Sequence, residues 1–223
     1  MENIYGYDEQ FSKRMAQFHA ETEGDCTAPA REKHLAIMAC LIASGSVNMF
    51  EKHIPRAISE GVTAEEVREL LYQASAYVGE ARAYDFFAAA GRILGPAQVQ
   101  PFNPDKAERL KAGEQAQTDI FGEGMRGFAG AGEGADKIIH SRLVSNCFGD
   151  YYTRGAIDYR VRELITVCIL LTLGDVKPQL TSHIKAAVAN GNSKDYLKQI
   201  VLLLQPYNGY PRTLNALSAI ESA

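Results

Sequence analysis

The 223-residue chain is 46% apolar and 22% charged, and carries a formal net charge of −4 with its basic residues scattered. This is the mixture of an ordinary globular protein, and it excludes a basic surface for nucleic acid or anionic lipid. The longest strongly apolar run, residues 164–173, is about half of the ~20 residues a bilayer span needs, and the N-terminus lacks the basic-then-apolar pattern of a secretory signal, so a cytoplasmic protein with no membrane partner is expected.

In chain order, the first predicted element is a helix over residues 31–44, rich in Ala, Leu and Met and without the alternation of a half-buried strand; Gly45 follows as its stop. A helix over 49–60 carries His53 and ends at Gly61. Thr63 and Glu66 form the capping-box signature of a third helix running to about Tyr77, and a fourth covers 80–93. Residues 96–104 hold Pro96, Pro101 and Pro104 and read as a linker between a first module, 1–95, and a second, 105–223.

The second module opens with a helix over 105–120, followed by a glycine-rich stretch, 122–134. Gly122, Gly124 and Gly127 match G-x-G-x-x-G formally, but they follow a helix and not a strand, so a flexible loop over the site is expected in place of a dinucleotide cradle. The helix predicted over 162–173 is apolar nearly all round, which suits burial on every side, and Gly174 stops it. A helix over 178–190 has Pro178 in its first turn and His183 inside it. Ser193 caps the next, and Pro211 begins a last helix over 211–221. No segment reads as a β-strand. The expected fold class is all-α.

The two halves repeat. Arg31-Glu32 and Arg162-Glu163 open equivalent runs; His53 follows Glu32 by 21 residues and His183 follows Glu163 by 20. Beyond the histidines a constant offset of 130 pairs Gly61 with Gly191, Tyr77 with Tyr207, Gly79 with Gly209 and Arg82 with Arg212. Such a register indicates duplication. The cysteines, Cys26, Cys40, Cys147 and Cys168, form neither a C-x-x-C nor a zinc spacing, and the two repeated histidines stand far apart, so no metal or other cofactor is expected.

The segment FGDYYTRGAIDYRVRELIT (148–166), then His183, then Tyr207-Asn208-Gly209-Tyr210-Pro211-Arg212 resembles the carboxymuconolactone decarboxylase family, closely over 105–221 and more loosely over 12–93. The resemblance implies two tandem helical modules of the alkylhydroperoxidase D-like kind and a homo-oligomer built like a trimer or hexamer. It also implies cofactor-independent decarboxylation or proton transfer on a small carboxylated, lactone-like molecule. The peroxidase branch of this kinship carries C-x-x-C with its second Cys four residues before the motif His. Ser46 and Met49 stand there in the first copy, Val176 and Gln179 in the second, so a disulfide cycle lacks both of its sulfurs.

Loss of CO2 leaves an enolate-like anion that must be stabilised and protonated at carbon, work suited to a histidine oriented by a carboxylate. His183 with Glu163 is the catalytic candidate pair, and Glu163 stands at a helix entrance where the macrodipole favours its ionised form. A helix-capping Glu and a His bonded to a backbone carbonyl would read the same way in sequence. Glu32 and His53 are the equivalent candidates of the first copy. Arg154 is the candidate carboxylate anchor; the first copy has Glu23 at that place. Tyr207 and Arg212 are further substrate-binding candidates, although Tyr207 suits the core with its hydroxyl satisfied somewhat better than it suits an oxyanion. His34 faces Ile165 across the repeat and reads as incidental. Two other readings stay open: an antioxidant using the lone thiol of Cys147 or Cys26, and a non-catalytic oligomeric binding protein.

Overall fold

The computed structural model describes residues 8–96 and 100–223, and every regular element among them is helical. Of the expected linker, residues 97–99 lie outside the described residues. The first copy comprises α1 (Glu9–Gly24), α2 (Ala30–Ser44), α3 (Val47–Ser59), α4 (Ala64–Val78) and α5 (Glu80–Leu94). The second comprises α6 (Lys106–Phe121) and α7 (Gly134–Arg142), which runs on into a π-helical stretch, Leu143–Tyr152. It continues with α8 (Tyr159–Leu173), α9 (Lys177–Ala189), α10 (Lys194–Leu203) and α11 (Gln205–Ser222).

Local chemistry accounts for most boundaries. Gly45 closes α2 in the left-handed conformation, φ 79°, which a residue with a Cβ adopts only at a cost. Thr63 and Glu66 complete the reciprocal capping box of α4, and Ser193 caps α10 by accepting from the Tyr196 amide. Two boundaries differ from the sequence reading. Helix α8 starts at Tyr159 and not at 162, because Asp158 caps it through the Val161 amide at 2.9 Å. Helix α11 begins at Gln205, ahead of Pro211, and kinks at Gly209, whose φ of 74° lets the chain turn before the proline restarts the helix. Helices α1 and α7 and the π-helical stretch had no counterpart in the sequence reading. The glycine-rich stretch is fastened: Glu114 accepts from the Gly127 amide at 2.6 Å, and Arg126 pairs with Glu123.

At the centre α2 packs against α8, and both are buried along almost their whole length. One continuous apolar core draws on both copies, from Leu35, Met38 and Ile42 to Leu164, Cys168 and Leu171. A smaller cluster, Ala116, Ile120, Cys147, Phe148, Tyr152 and Ala186, sits where α6 meets the π-helical stretch. That contact is backbone on backbone. A Cβ on Gly113 would lie 2.0 Å from the Val144 carbonyl oxygen, and one on Gly149 would lie 2.3 Å from that of Arg109.

Polar groups also bind the copies together. Arg162, fully buried, donates to Glu69 at 2.5 Å, to Gln73 at 3.0 Å and to the Arg154 carbonyl at 2.8 Å. A buried charge is tolerable only with this degree of satisfaction.

Candidate functional site

Helix α8 starts with Glu163 in its first turns, and α9 returns alongside it carrying His183. The two side chains meet: His183 Nδ1 lies 2.8 Å from Glu163 Oε2. Glu163 is fully buried, and its Oε1 has no hydrogen-bond partner among the described residues, while 11% of the His183 side chain reaches solvent. A carboxylate beside Nδ1 draws the imidazole proton to that nitrogen, leaving Nε2 to exchange protons with a ligand.

The walls around His183 include rings from two elements. The Tyr77 ring, from α4 of the first copy, stands edge-on at 5.8 Å, and Phe121, from α6, stands at 5.2 Å. Tyr77 shares its hydroxyl with Tyr152 at 2.7 Å, and Tyr152 in turn bonds Thr166 at 2.6 Å, so a chain of hydroxyls runs behind the imidazole. Burial pushes the Tyr77 phenol well above its ordinary range, with Cys147 and Glu163 adding to the shift. It stays neutral. Cys147 lies against the same group; burial pushes its thiol up to about 12 against a weaker lowering by its hydrogen bond to Tyr77. A thiol so placed is almost wholly protonated near neutrality and is a poor nucleophile.

Arg154 is held elsewhere. Its guanidinium is stacked over Tyr72 and Phe102, at 5.0 and 4.8 Å, donates to the Gln100 carbonyl at 3.1 Å and lies 3.6 Å from Glu69. The guanidinium belongs to the seam between the copies, and no contact joins it to His183 among the described residues. Arg212 is exposed, close to Gly174.

The first copy is wired differently. Glu32 is engaged by Arg160 and by the Tyr196 hydroxyl, both from the second copy, and not by His53. His53 bonds His34 instead, Nε2 to Nδ1 at 2.9 Å, and His34 Nε2 lies 2.9 Å from Glu60 Oε2. Reading the repeat alone passed over His34 and Glu60; the spacing from His34 to His53 is the signal that could have found them. His53 opens on a cavity of about 570 Å3 whose wall includes Tyr207 of the second copy. Tyr207 is therefore in the cavity of His53, just as Tyr77 stands beside His183. Tyr207 packs its ring against His19 at 4.8 Å and shares the cavity with His53.

The sequence profile of the carboxymuconolactone decarboxylase family matches residues 9–91 and again residues 139–222. The chain belongs to this family. It is 28% identical to the 4-carboxymuconolactone decarboxylase of Acinetobacter baylyi over 116 residues, which is 51% of this chain and 85% of that protein. The crystal structure of a candidate γ-carboxymuconolactone decarboxylase subunit from Burkholderia xenovorans LB400 superposes with a TM-score of 0.58 at 17% identity. It covers 96% of this chain and 86% of the other, so the two share a fold. In this chain the second copy has a direct Glu163–His183 contact, and the first has the chain Glu60–His34–His53. No cluster of metal-ligating side chains is present among the described residues, and none of the described helices is long and apolar enough to cross a membrane.

Proposed function

We propose that the chain is a carboxymuconolactone decarboxylase-like lyase that removes CO2 from, or moves a proton on, a small carboxylated lactone without a cofactor. The observation that carries this reading is the 2.8 Å contact between His183 and the buried carboxylate of Glu163. In a decarboxylation the C–C bond breaks, CO2 leaves, and the electron pair spreads as an enolate. His183, protonated at Nε2, would deliver the proton to carbon, while Glu163 offsets the imidazolium charge in a site where water does not. The Tyr77 hydroxyl is engaged by Tyr152 and Thr166, so its ring would serve as a wall that holds the imidazole in place. Glu163 would act through His183 as a positioning residue.

The Cys147 thiol, pushed up to about 12, argues against a peroxidase that would use Cys147 as its lone thiol. Self-association belongs to the same reading: Tyr84 on α5 and Leu214 on α11 are exposed apolar side chains at repeat-related positions, and Tyr210 is exposed on the same helix as Leu214, suited to meeting another copy. The test is turnover of a carboxymuconolactone, followed by CO2 release. His183→Ala should lower kcat by about 10²–10⁴-fold. Unchanged turnover in that variant would overturn the assignment.

A further inference from the structure

The cavity of the first copy is not used by that reaction. It holds about 570 Å3, room for a small organic acid, and is lined by two cations, Lys52 and Arg56, against one carboxylate, Glu23. Arg56 is already paired with Glu23 and Glu60, whereas Lys52 makes no ion pair with any described residue. The apolar share of the wall comes from Ile37, Leu41 and Leu203.

The hydrogen-bonded chain behind His53 decides what its ring offers. Glu60 takes the Nε2–H of His34 at 2.9 Å, so His34 Nδ1 is an acceptor. With both rings neutral, the facing nitrogen, His53 Nε2, then donates across the 2.9 Å contact, which leaves His53 Nδ1 without a proton. The second copy presents the opposite nitrogen, because there it is Nδ1 that meets the carboxylate.

We propose that this cavity is a second ligand-binding site, taking a small hydroxylated monocarboxylate whose carboxylate meets Lys52 and whose hydroxyl donates to His53 Nδ1. Lys52, the cation of the wall without an ion pair among the described residues, selects an anion, the bare ring nitrogen selects a donor, and the leucine and isoleucine side chains take the hydrocarbon. Burial, with the neighbouring His34 and Arg56, pushes the His53 imidazole down to about 3, so it serves as a fixed acceptor and not as a proton shuttle near neutrality. The site is distinct from the Glu163–His183 pair and does not depend on the reaction assigned to it.

Isothermal titration of the full chain with glycolate, lactate, 3-hydroxybutyrate and mandelate tests this. Each is compared with acetate, propionate, butyrate or phenylacetate, the matching acid without the hydroxyl. At least one hydroxy acid should bind about tenfold or more tightly than its partner, and Lys52→Met, at an exposed position, should weaken that binding by a similar factor. Glu163→Gln should leave it unchanged. The proposal is overturned if no hydroxy acid binds or none is distinguished from its partner, if Lys52→Met binds as the parent does, or if Glu163→Gln abolishes the binding.

Discussion

His183 and His53 occupy equivalent places in a duplicated sequence and differ in what stands behind the ring. A carboxylate in direct contact can offset an imidazolium; a second imidazole interposed before the carboxylate cannot do so as well. Glu163→Gln keeps a hydrogen-bonding group but removes the charge, so kcat on a carboxymuconolactone should fall by about 10–100-fold with KM little changed. Cys147→Ala should leave turnover near that of the parent, since the thiol stays protonated. At His53 the consequence is one of stability. Its pKa is 6.5 when unfolded and about 3 when folded, so between those pH values the unfolded chain binds more protons. Stability should therefore fall as the pH drops from about 6.5 towards 3, by at most about 1.4 kcal/mol per unit. Glu60, held down to about 2 chiefly by its hydrogen bond to Arg56, adds a loss in the same direction below 4.5. Urea midpoints measured from pH 7 to 4.5 should show a flatter dependence in His53→Gln than in the parent.

Among the elements, helix ends were legible and helix contacts were not. Thr63, Glu66, Gly45 and Ser193 act through neighbours three or four residues away, and such signals survive in one dimension. The π-helical stretch carrying Cys147 and Tyr152 gave no comparable signal, because its closeness to α6 depends on two glycines thirty-six positions apart meeting face to face. Gly113→Ala pushes a methyl group into the Val144 carbonyl, and unlike a flexible side chain the backbone cannot swing aside. It should cost about 1–3 kcal/mol or more in chemical denaturation. Thr63→Ala, which removes only a cap, should cost about 1 kcal/mol.

Over the whole molecule the copies behave as one body, with α2 and α8 sharing a core and Arg162 of one copy buried on Glu69 of the other. Arg162→Met leaves the Glu69 carboxylate buried without its main partner and should destabilise by about 3–5 kcal/mol. Adding Glu69→Leu should restore part of that loss, a coupling that a double-mutant cycle reads directly. If the two substitutions simply add, the seam is not held by this pair.

By itself the sequence determined the helical class, the duplication, the family and the pairing of Glu163 with His183 as candidates, because these rest on periodicity, caps and motifs carried by neighbouring residues. Only the tertiary structure decided that Glu163 touches its histidine while Glu32 turns to Arg160, that Arg154 is spent on the seam, and that Tyr77 and Tyr207 cross to the opposite copy. Those outcomes depend on which buried charge finds which partner once the copies pack, a competition among groups distant in the chain that no local pattern records.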